Sequence, residues 1–438
     1  MVNRVSRRQL LTAAGAAGLA LLPRPSGAQT APGRYFPPSE HKGGWRHGDP
    51  GALGVDVGQL TGAIDYHDSA AFTKSYGGAI VIIYKGHIIG ESYVTGIEGG
   101  PQPWTRRTCN SLASSTKSVF GTTVGVFLEE YKDRVNLDTY LVGLSRDDSL
   151  IPQIWDQSVT DERKKKIKVK HVLSMTSGHE GDEPWTPPSP HLHYPGYSGS
   201  FQMHEYCFGW WHFDGVPAHH TLKFDPGYDF TYSNYGMEQF GLAMRNISGE
   251  QVGPYVYDRV LRHIGMPIGL RDNQYRKIPD PLNFSDEPGW GVGGSEGCDA
   301  YACDKSASPY GYNSIVGATL RCSARDLARL GYLWSNKGRW GDRQLVPEEW
   351  MQQATRRFLR DDGSSPSNYG YTFWIHDDWE DVPKDTFASR GFNVNDCYVV
   401  PSLDLVVARL GNQNPPRGQR GVFTKTILQK IVAAIRTA

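Results

Sequence analysis

The residues of this sequence best suited to chemistry are a serine and a lysine three positions apart. Ser114 and Lys117 lead into an apolar, helix-like segment at 119–130, and on a helix the side chains at i and i+3 share one face. A serine hydroxyl is a poor nucleophile until a neighbouring base takes its proton, and the neutral amine of a desolvated lysine can be that base. The helix N-terminus adds positive potential and free N–H groups beside the serine. The pair therefore predicts nucleophilic catalysis centred on Ser114.

A second polar motif, Tyr232-Ser233-Asn234, follows about 115 residues later. A tyrosine near an activated serine can carry protons when a nearby ammonium favours its phenolate. An asparagine two residues further on can hold the lysine and donate to a substrate carbonyl. Taken singly, each residue is more often structural. It is their combination with Ser114 and Lys117 that indicates a single site.

Two other features suggest chemistry but have simpler interpretations. The stretch Gly293-Gly294-Ser295-Glu296-Gly297 fits the Gly-x-Ser-x-Gly nucleophile elbow, which requires a strand before it and a helix after it. Its flanks have neither pattern, so we interpret it as a glycine-rich loop. Histidines are frequent between 191 and 220, but their spacing matches no zinc site. We interpret them as loop residues packed among aromatic side chains, and we expect neither a metal nor another cofactor.

The strands that must position the site are predicted at both ends of the chain. Two β-rich runs around Lys85-Gly86, at 79–84 and 87–93, predict a hairpin. Later strands are predicted at 369–375, 388–392, 397–400 and 403–410. The sequence therefore predicts an α+β fold, in which one antiparallel sheet is built from both chain ends and flanked by helices. A mostly helical insertion is expected at about 130–320.

Helices are predicted from apolar spacing at 55–75, 238–248, 255–264, 323–336 and 423–435. Ser323 is expected to cap a strongly amphipathic helix, whose apolar face is formed by Leu327, Leu330, Leu333 and Trp334. Gly121 with Gly125 indicates that another helix packs closely on the segment after Lys117. The region at 179–228 is dense in aromatic residues, proline and glycine. Two interpretations of it stay open: an ordered wall over the active site, or a satellite aromatic core.

The N-terminus has the pattern of an export signal. Arg7-Arg8 precedes an apolar run to Leu22, and a small-residue cleavage site ends at Ala28. We therefore expect a twin-arginine signal peptide at 1–28 and an irregular lead-in wrapped on the surface at 29–60. A large domain that carries the predicted catalytic residues is expected at 61–437. The mature protein is expected to be periplasmic, with no membrane anchor once the signal is removed.

Composition limits the partners of the protein. Lys and Arg number 46 against 46 Asp and Glu, so the chain lacks the basic surplus of a nucleic-acid-binding protein. Six cysteines lie in an expected oxidising compartment, and Cys298 and Cys303 are close enough to close a small loop. Their other pairings stay open, as does the oligomeric state.

Taken together, the motifs resemble the serine β-lactamase and penicillin-recognising family. The likeness is nearest to its class C-like branch, which includes carboxylesterases, D-amino-peptide hydrolases and 6-aminohexanoate-dimer hydrolases. Residues 172–178 resemble the family's Leu-Leu-x-x-Thr-Ser-Gly block, and Pro226-Gly227 precedes the tyrosine motif as it does in the family. Residues 317–338 and 401–407 resemble its later helix and closing hairpin, so the likeness covers roughly 60–437.

The resemblance implies a β-lactamase/transpeptidase-like fold and a role for each residue. Ser114 would be the acylated nucleophile and Lys117 its proton acceptor. Tyr232 would pass the proton to the leaving group and activate the deacylating water, while Asn234 would orient the substrate and the lysine. The backbone N–H groups of Ser114 and Phe392 would form the oxyanion hole. No cofactor is implied.

The third motif of the family departs from its usual form. Where the family has Lys or His, then Thr or Ser, then Gly, this chain has Ser389-Arg390-Gly391. Arg390 could supply the missing positive charge or could point to solvent from an edge strand. Because a β-lactam or D-alanyl carboxylate needs a cationic partner, the departure favours a small neutral ester or amide as substrate. The alternatives are a β-lactamase or D-amino peptidase, and a ligand-binding protein without useful turnover.

Overall fold

The computed structural model describes residues 34–98, 103–144, 161–179, 222–250, 252–266, 289–290, 316–317 and 320–436. Several predicted features lie outside these residues. They are the signal peptide, the aromatic-rich stretch at 180–221 with its histidines, the Gly-x-Ser-x-Gly loop, and Cys207, Cys298 and Cys303.

The main sheet has six strands in the order β2-β1-β11-β10-β9-β8, and every neighbouring pair is antiparallel. The strands are β1 Gly78–Tyr84, β2 His87–Val94, β8 Trp374–Ile375, β9 Phe387–Gly391, β10 Asn395–Val400 and β11 Leu405–Gly411. The hairpin β1–β2 pairs with the last strand, β11, so that Gly78 faces Gly411 and Tyr84 faces Leu405. The predicted sheet built from both chain ends is therefore confirmed.

Helices cover both faces of this sheet. One face packs on α1 (Val57–Ser69) and α10 (Arg420–Arg436). These helices contribute Leu60 and Leu428, among others, to the core on this side of the sheet. The other face packs on α8 (Ala324–Ser335) and is continuous with the core around α3 (Thr116–Glu130). Because both faces are covered, every residue of β1, β10 and β11 is buried.

The remaining described elements surround the sheet. The helices are α2 Ala71–Tyr76, α4 Leu141–Leu144, α5 Val169–Leu173, α6 Asn234–Ser248, α7 Val252–Arg259 and α9 Glu348–Ala354. A small sheet joins β3 Cys109–Ser111, β5 Leu320–Ser323 and β4 Gly289–Trp290, and a hairpin joins β6 Arg339–Trp340 to β7 Arg343–Gln344. None of the helices in the described ranges is long and apolar enough to cross a membrane.

Helix α8 begins as predicted, with a reciprocal cap. The Ser323 hydroxyl accepts from the Asp326 N–H at 3.2 Å, and the Asp326 carboxylate accepts from the Ser323 N–H at 3.3 Å. The prediction of one apolar face is too narrow, however, because every residue of α8 is buried. Its charged residues Arg325 and Arg329 point into the protein instead of into solvent.

The segment before α1 explains that burial. Arg329 donates to the carbonyl oxygens of Pro37 and Pro38 at 2.9 and 2.6 Å, and both arginines pair with Glu40 at 2.8 to 2.9 Å. Trp45 is only 4% exposed and lies in the main core. The lead-in, expected to wrap irregularly on the surface, is thus fastened to α8 by ion pairs and core packing.

Three predicted boundaries differ from the structure. The helix expected at 55–75 breaks at Ala70, whose extended ψ of 129° separates α1 from α2. The helix expected at 255–264 ends at Arg259 and continues as a 3₁₀ turn, Leu261–Ile264. The strand expected at 369–375 is only two residues long, because Thr372 adopts a left-handed φ of 68°.

The two glycines on α3 do mark a close approach. A Cβ on Gly125 would overlap the indole ring of Trp350 from α9, and the Trp350 Nε1 donates to the Gly121 carbonyl at 2.9 Å. The residue facing Gly121 itself is Thr372, which comes from a loop. The predicted neighbouring helix therefore packs closely on Gly125 and bonds to the Gly121 carbonyl, while a loop residue fills the space beside the Gly121 Cα.

Candidate active site

The turn that carries Ser114, the predicted nucleophile, joins β3 to α3 and is called the nucleophile turn below. A 3₁₀ turn, Ala113–Ser115, runs directly into the helix, so Ser114 stands where the first N–H groups have no intrahelical partner. Ala113 has a φ of +46°, a conformation that costs a non-glycine residue about 1–3 kcal/mol. The turn is held from both sides, because Leu112 N–H donates to the Leu320 carbonyl at 2.7 Å and the Ser115 hydroxyl donates to the Asn395 carbonyl.

The predicted serine–lysine pair is brought together. The Nζ of Lys117 lies 3.2 Å from the Oγ of Ser114 and 2.6 Å from the carbonyl oxygen of Gly317. Lys117 is 0% exposed. In this geometry an amine can keep its bond to Gly317 while accepting the serine proton.

Tyr232 completes the group. Its ring centroid lies 4.9 Å from the Nζ of Lys117, and the ring stacks on Trp374 at 5.9 Å and 18°. Tyr232 precedes α6, of which Asn234 is the first residue. The structure thus places Ser114, Lys117 and Tyr232 in one neighbourhood, as the motif spacing predicted.

The Thr-Ser-Gly block holds the tyrosine motif in place. The Met175 carbonyl accepts from the Thr231 N–H at 2.9 Å, and the Met175 sulfur accepts from the Ser233 N–H at 3.4 Å. Thr176 accepts from the Gly227 N–H at 2.7 Å. The block at 172–178, which resembles a family signature, therefore supports the backbone around Tyr232.

A group of aromatic residues adjoins Tyr232 and was missed by sequence reasoning. Trp374 lies edge-on to Tyr369 at 4.9 Å, and Phe230 contacts both rings at 5.7 and 6.1 Å. Burial raises the pKa of Tyr369 well above its ordinary value, so its hydroxyl stays protonated. The aromatic residues at 369–374 are the sequence signal for this group, but the same residues also predict a strand.

The third motif lies on β9, with Ser389 fully buried. The Arg390 side chain is 18% exposed, its Nε is 3.7 Å from Asp396 Oδ2, and its guanidinium lies 5.6 Å from the Trp374 ring. Of the two interpretations of Arg390, pointing to solvent is wrong. The charge is packed against the sheet and shared with a buried carboxylate.

Gly391 brings β9 against the nucleophile turn. A Cβ on Gly391 would overlap the carbonyl oxygen of Leu112 and lie 3.0 Å from the nitrogen of Ser115. Phe392 follows at the start of a tight turn, Phe392–Val394, with its side chain 64% exposed. The backbone expected to supply the second oxyanion donor therefore passes directly beside Ser114.

Other titratable groups near the sheet are structural. Burial, with the Arg390 and Arg357 charges, lowers the pKa of His376 to about 3, and its ring packs against Trp379 and Tyr398. Within the described ranges no three His, Cys, Asp or Glu side chains converge as metal ligands would.

Comparison with known proteins places these features in a family. The model of the family described as Beta-lactamase matches residues 70–428, well over half of the chain. No curated protein matches. Solved structures share the fold, among them a penicillin-binding protein homologue from Caulobacter crescentus, which is 17% identical with a TM-score of 0.57 and covers 87% of this chain and 99% of its own.

Two further structures are similar to the same extent. A family VIII carboxylesterase is 17% identical, with a TM-score of 0.56 and coverage of 87% of this chain and 97% of its own. EstCE1, a hydrolase with promiscuous acyltransferase activity, is 15% identical, with a TM-score of 0.57 and coverage of 88% and 99%. With the fold and the family match in agreement, the chain belongs to the beta-lactamase family of serine hydrolases.

Proposed function

We propose that the protein hydrolyses a small, uncharged ester or amide through an acyl-enzyme on Ser114. The observation that carries this proposal is the 3.2 Å contact between Ser114 Oγ and the fully buried Lys117 Nζ. The amine bonds to two uncharged groups, the Ser114 hydroxyl and the Gly317 carbonyl. An amine so placed is well suited to accept and return one proton.

In the acylation step, Ser114 Oγ attacks the substrate carbonyl carbon and its proton passes to Lys117 Nζ. The carbonyl oxygen becomes an oxyanion that the Ser114 and Phe392 N–H groups bind. The intermediate collapses by breaking the bond to the alcohol or amine, which takes the proton through Tyr232. Water then attacks the acyl carbon and gives a proton to Tyr232 and Lys117. That proton returns to Ser114 Oγ as the bond to the acyl carbon breaks and the acid leaves.

The charges near the site support a neutral substrate. Ser389 occupies the position where the family usually has a cation, and it is fully buried. The neighbouring cation of the motif, Arg390, lies against the Trp374 ring with its Nε 3.7 Å from Asp396 Oδ2. A substrate carboxylate would therefore lose its water without gaining a lysine or histidine at the first position of the motif, which is costly. The aromatic rings beside Tyr232 instead favour an apolar acyl or leaving group.

The names of the structural neighbours are compatible with this proposal, since they include a carboxylesterase and an acyl-transferring hydrolase. The first alternative, a β-lactamase or D-amino peptidase, predicts turnover of a chromogenic cephalosporin. The second, a ligand-binding protein, predicts no turnover at all. We also propose export to the periplasm, a proposal supported by the Arg7-Arg8 motif before the apolar run.

The experiment combines covalent labelling with turnover. Intact-mass spectrometry would follow a fluorophosphonate adduct on the wild type, Ser114→Ala and Ser295→Ala, with p-nitrophenyl butyrate hydrolysis measured in parallel. We expect adduct and turnover in the wild type and Ser295→Ala, and neither in Ser114→Ala. Lys117→Ala should lower kcat by roughly 10²–10⁴-fold, the usual contribution of a general base. Labelling that survives in Ser114→Ala would refute the proposal.

Substrate charge is tested with matched esters. We expect p-nitrophenyl butyrate to have at least a tenfold higher kcat/KM than p-nitrophenyl hemisuccinate, which carries a carboxylate at the end of a similar acyl chain. Equal values, or efficient cephalosporin turnover, would contradict the preference for neutral substrates and favour the first alternative.

A further inference from the structure

The C-terminal helix contributes a side chain to the edge of this site. Arg420, the first residue of α10, donates from Nη2 to the Gly391 carbonyl oxygen at 2.6 Å and to Asp396 Oδ1 at 2.8 Å. The same Asp396 oxygen accepts from the Gly391 N–H at 3.0 Å, and Asp396 is fully buried. An ion pair outside the predicted catalytic set thus fixes the peptide groups on both sides of Gly391.

The bond to the Gly391 carbonyl matters because that carbonyl shares a peptide unit with the Phe392 N–H. The unit is planar and trans, so its C=O and N–H point in opposite directions. Fixing the carbonyl therefore fixes the direction of the N–H. A charged donor on the carbonyl also polarises the unit and makes the N–H a stronger donor.

Phe392 is held on its other side as well. The side-chain amide of Asn395 donates from Nδ2 to the Phe392 carbonyl oxygen at 2.8 Å. Asn393 and Val394 adopt left-handed φ angles of 61° and 58°, and Arg409 donates to their carbonyls at 2.6 and 3.1 Å. Strained residues persist only where surrounding contacts over-determine them, which is typical of functional sites. The turn that carries the Phe392 N–H is thus pinned at four successive carbonyls, from Gly391 to Val394.

The position of Arg420 is unfavourable for the helix itself. A cation in the first helical turn opposes the helix dipole, which favours carboxylates there. The guanidinium is instead directed at the sheet, where it meets Asp396 and Gly391. Arg420 therefore stabilises the end of β9 and not the N-terminus of α10.

We propose that Arg420 is a positioning residue of the oxyanion hole, which aims and polarises the Gly391–Phe392 peptide through its carbonyl. This inference rests on the proposed function, in which the Phe392 N–H binds the oxyanion. Arg420 touches no reacting atom, and its effect grows as negative charge develops on the substrate oxygen. Losing it should therefore weaken binding of the tetrahedral species more than binding of the ester.

The test compares Arg420→Gln with Arg436→Gln, an exposed arginine at the far end of the same helix. Deleting an oxyanion donor outright costs 10²–10³-fold in kcat; here the donor remains, so we expect a loss of about tenfold. KM for p-nitrophenyl butyrate should stay within twofold. The inhibition constant of an alkyl boronic acid, which forms a tetrahedral adduct with the serine, should rise by the same factor of about ten. Arg436→Gln should change none of these values.

The outcomes separate the possible failures. A lower kcat with an unchanged boronate constant would mean that Arg420 is merely structural, and unchanged kinetics with an unchanged Tm would also overturn the proposal. If Arg420→Gln does not fold, Arg420→Lys gives the same comparison, with an expected loss of about threefold in kcat and boronate affinity. A wild type that neither turns over nor binds the boronate would refute the proposed function, and this inference with it.

Discussion

Replacing Gly391 by alanine tests how closely the third motif is built against the nucleophile. The backbone there is ordinary extended strand, with φ −128° and ψ 159°, which any residue can adopt. What excludes a side chain is space, since a Cβ would overlap the Leu112 carbonyl oxygen and lie 3.0 Å from the Ser115 nitrogen. Restoring normal contact requires β9 and the nucleophile turn to separate by on the order of 1 Å. A misplacement of that size in a catalytic site costs roughly 100-fold in rate.

The assay is kcat/KM for p-nitrophenyl butyrate, with Tm measured on the same samples. The matched control is Gly62→Ala, because a Cβ at Gly62 in α1 meets nothing within 4 Å and alanine is the better helix former. We expect the control to keep wild-type activity, and Gly391→Ala to lose about two orders of magnitude at a temperature where both are folded. A Gly391→Ala enzyme within threefold of wild type, with the same Tm, would show that the reasoning from contact distances is wrong.

Two further predictions concern the carboxylates that pair with the buried arginines of α8. Glu40→Gln leaves Arg325 and Arg329 without the carboxylate that they share. We expect it to lower the free energy of unfolding in urea by about 2 kcal/mol. Breaking a fully buried pair costs about 3–5 kcal/mol, and the loss here is smaller because Glu40 is 23% exposed. Burial alone would raise the pKa of Glu91, but hydrogen bonds from Arg325 and Tyr93 lower it to about 2. Its contribution is therefore complete above about pH 4.5 and is lost as the pH falls towards 2, so Glu91→Gln should flatten the acid limb of the Tm–pH curve; an unchanged limb would contradict this assignment.

Local patterns were sufficient for the elements that depend on neighbouring residues. The β1–β2 hairpin and the Ser323 cap of α8 each follow from a few consecutive side chains, and both are present. The Ser114–Lys117 contact is equally local, since a helical i, i+3 spacing sets it. These parts of the fold and of the candidate site follow from local sequence alone.

What escaped prediction depends on residues far apart in the chain. Arg325 and Arg329 have the spacing of a polar face on an amphipathic helix, and their burial depends on distant partners. Both bind Glu40, about 285 residues earlier, and Arg325 also binds Glu91. From the sequence, Arg390 is likewise compatible with an exposed position near a sheet edge. Its packing becomes evident only when the fold brings Asp396 and Trp374 beside it. Periodicity describes which side of an element is apolar, but it contains no information about which distant charge will cover the other side.

The departure in the third motif and the support of the oxyanion turn have one residue in common. Asp396 lies beside the Arg390 guanidinium, pairs with Arg420 and accepts from the Gly391 N–H, all from a fully buried position. A carboxylate that fixes Gly391 in this way also lies 3.7 Å from the Arg390 Nε. Under the proposed function, the serine at position 389 and the retained Gly391 are consistent parts of one arrangement, in which the sheet edge binds an uncharged substrate and its developing oxyanion.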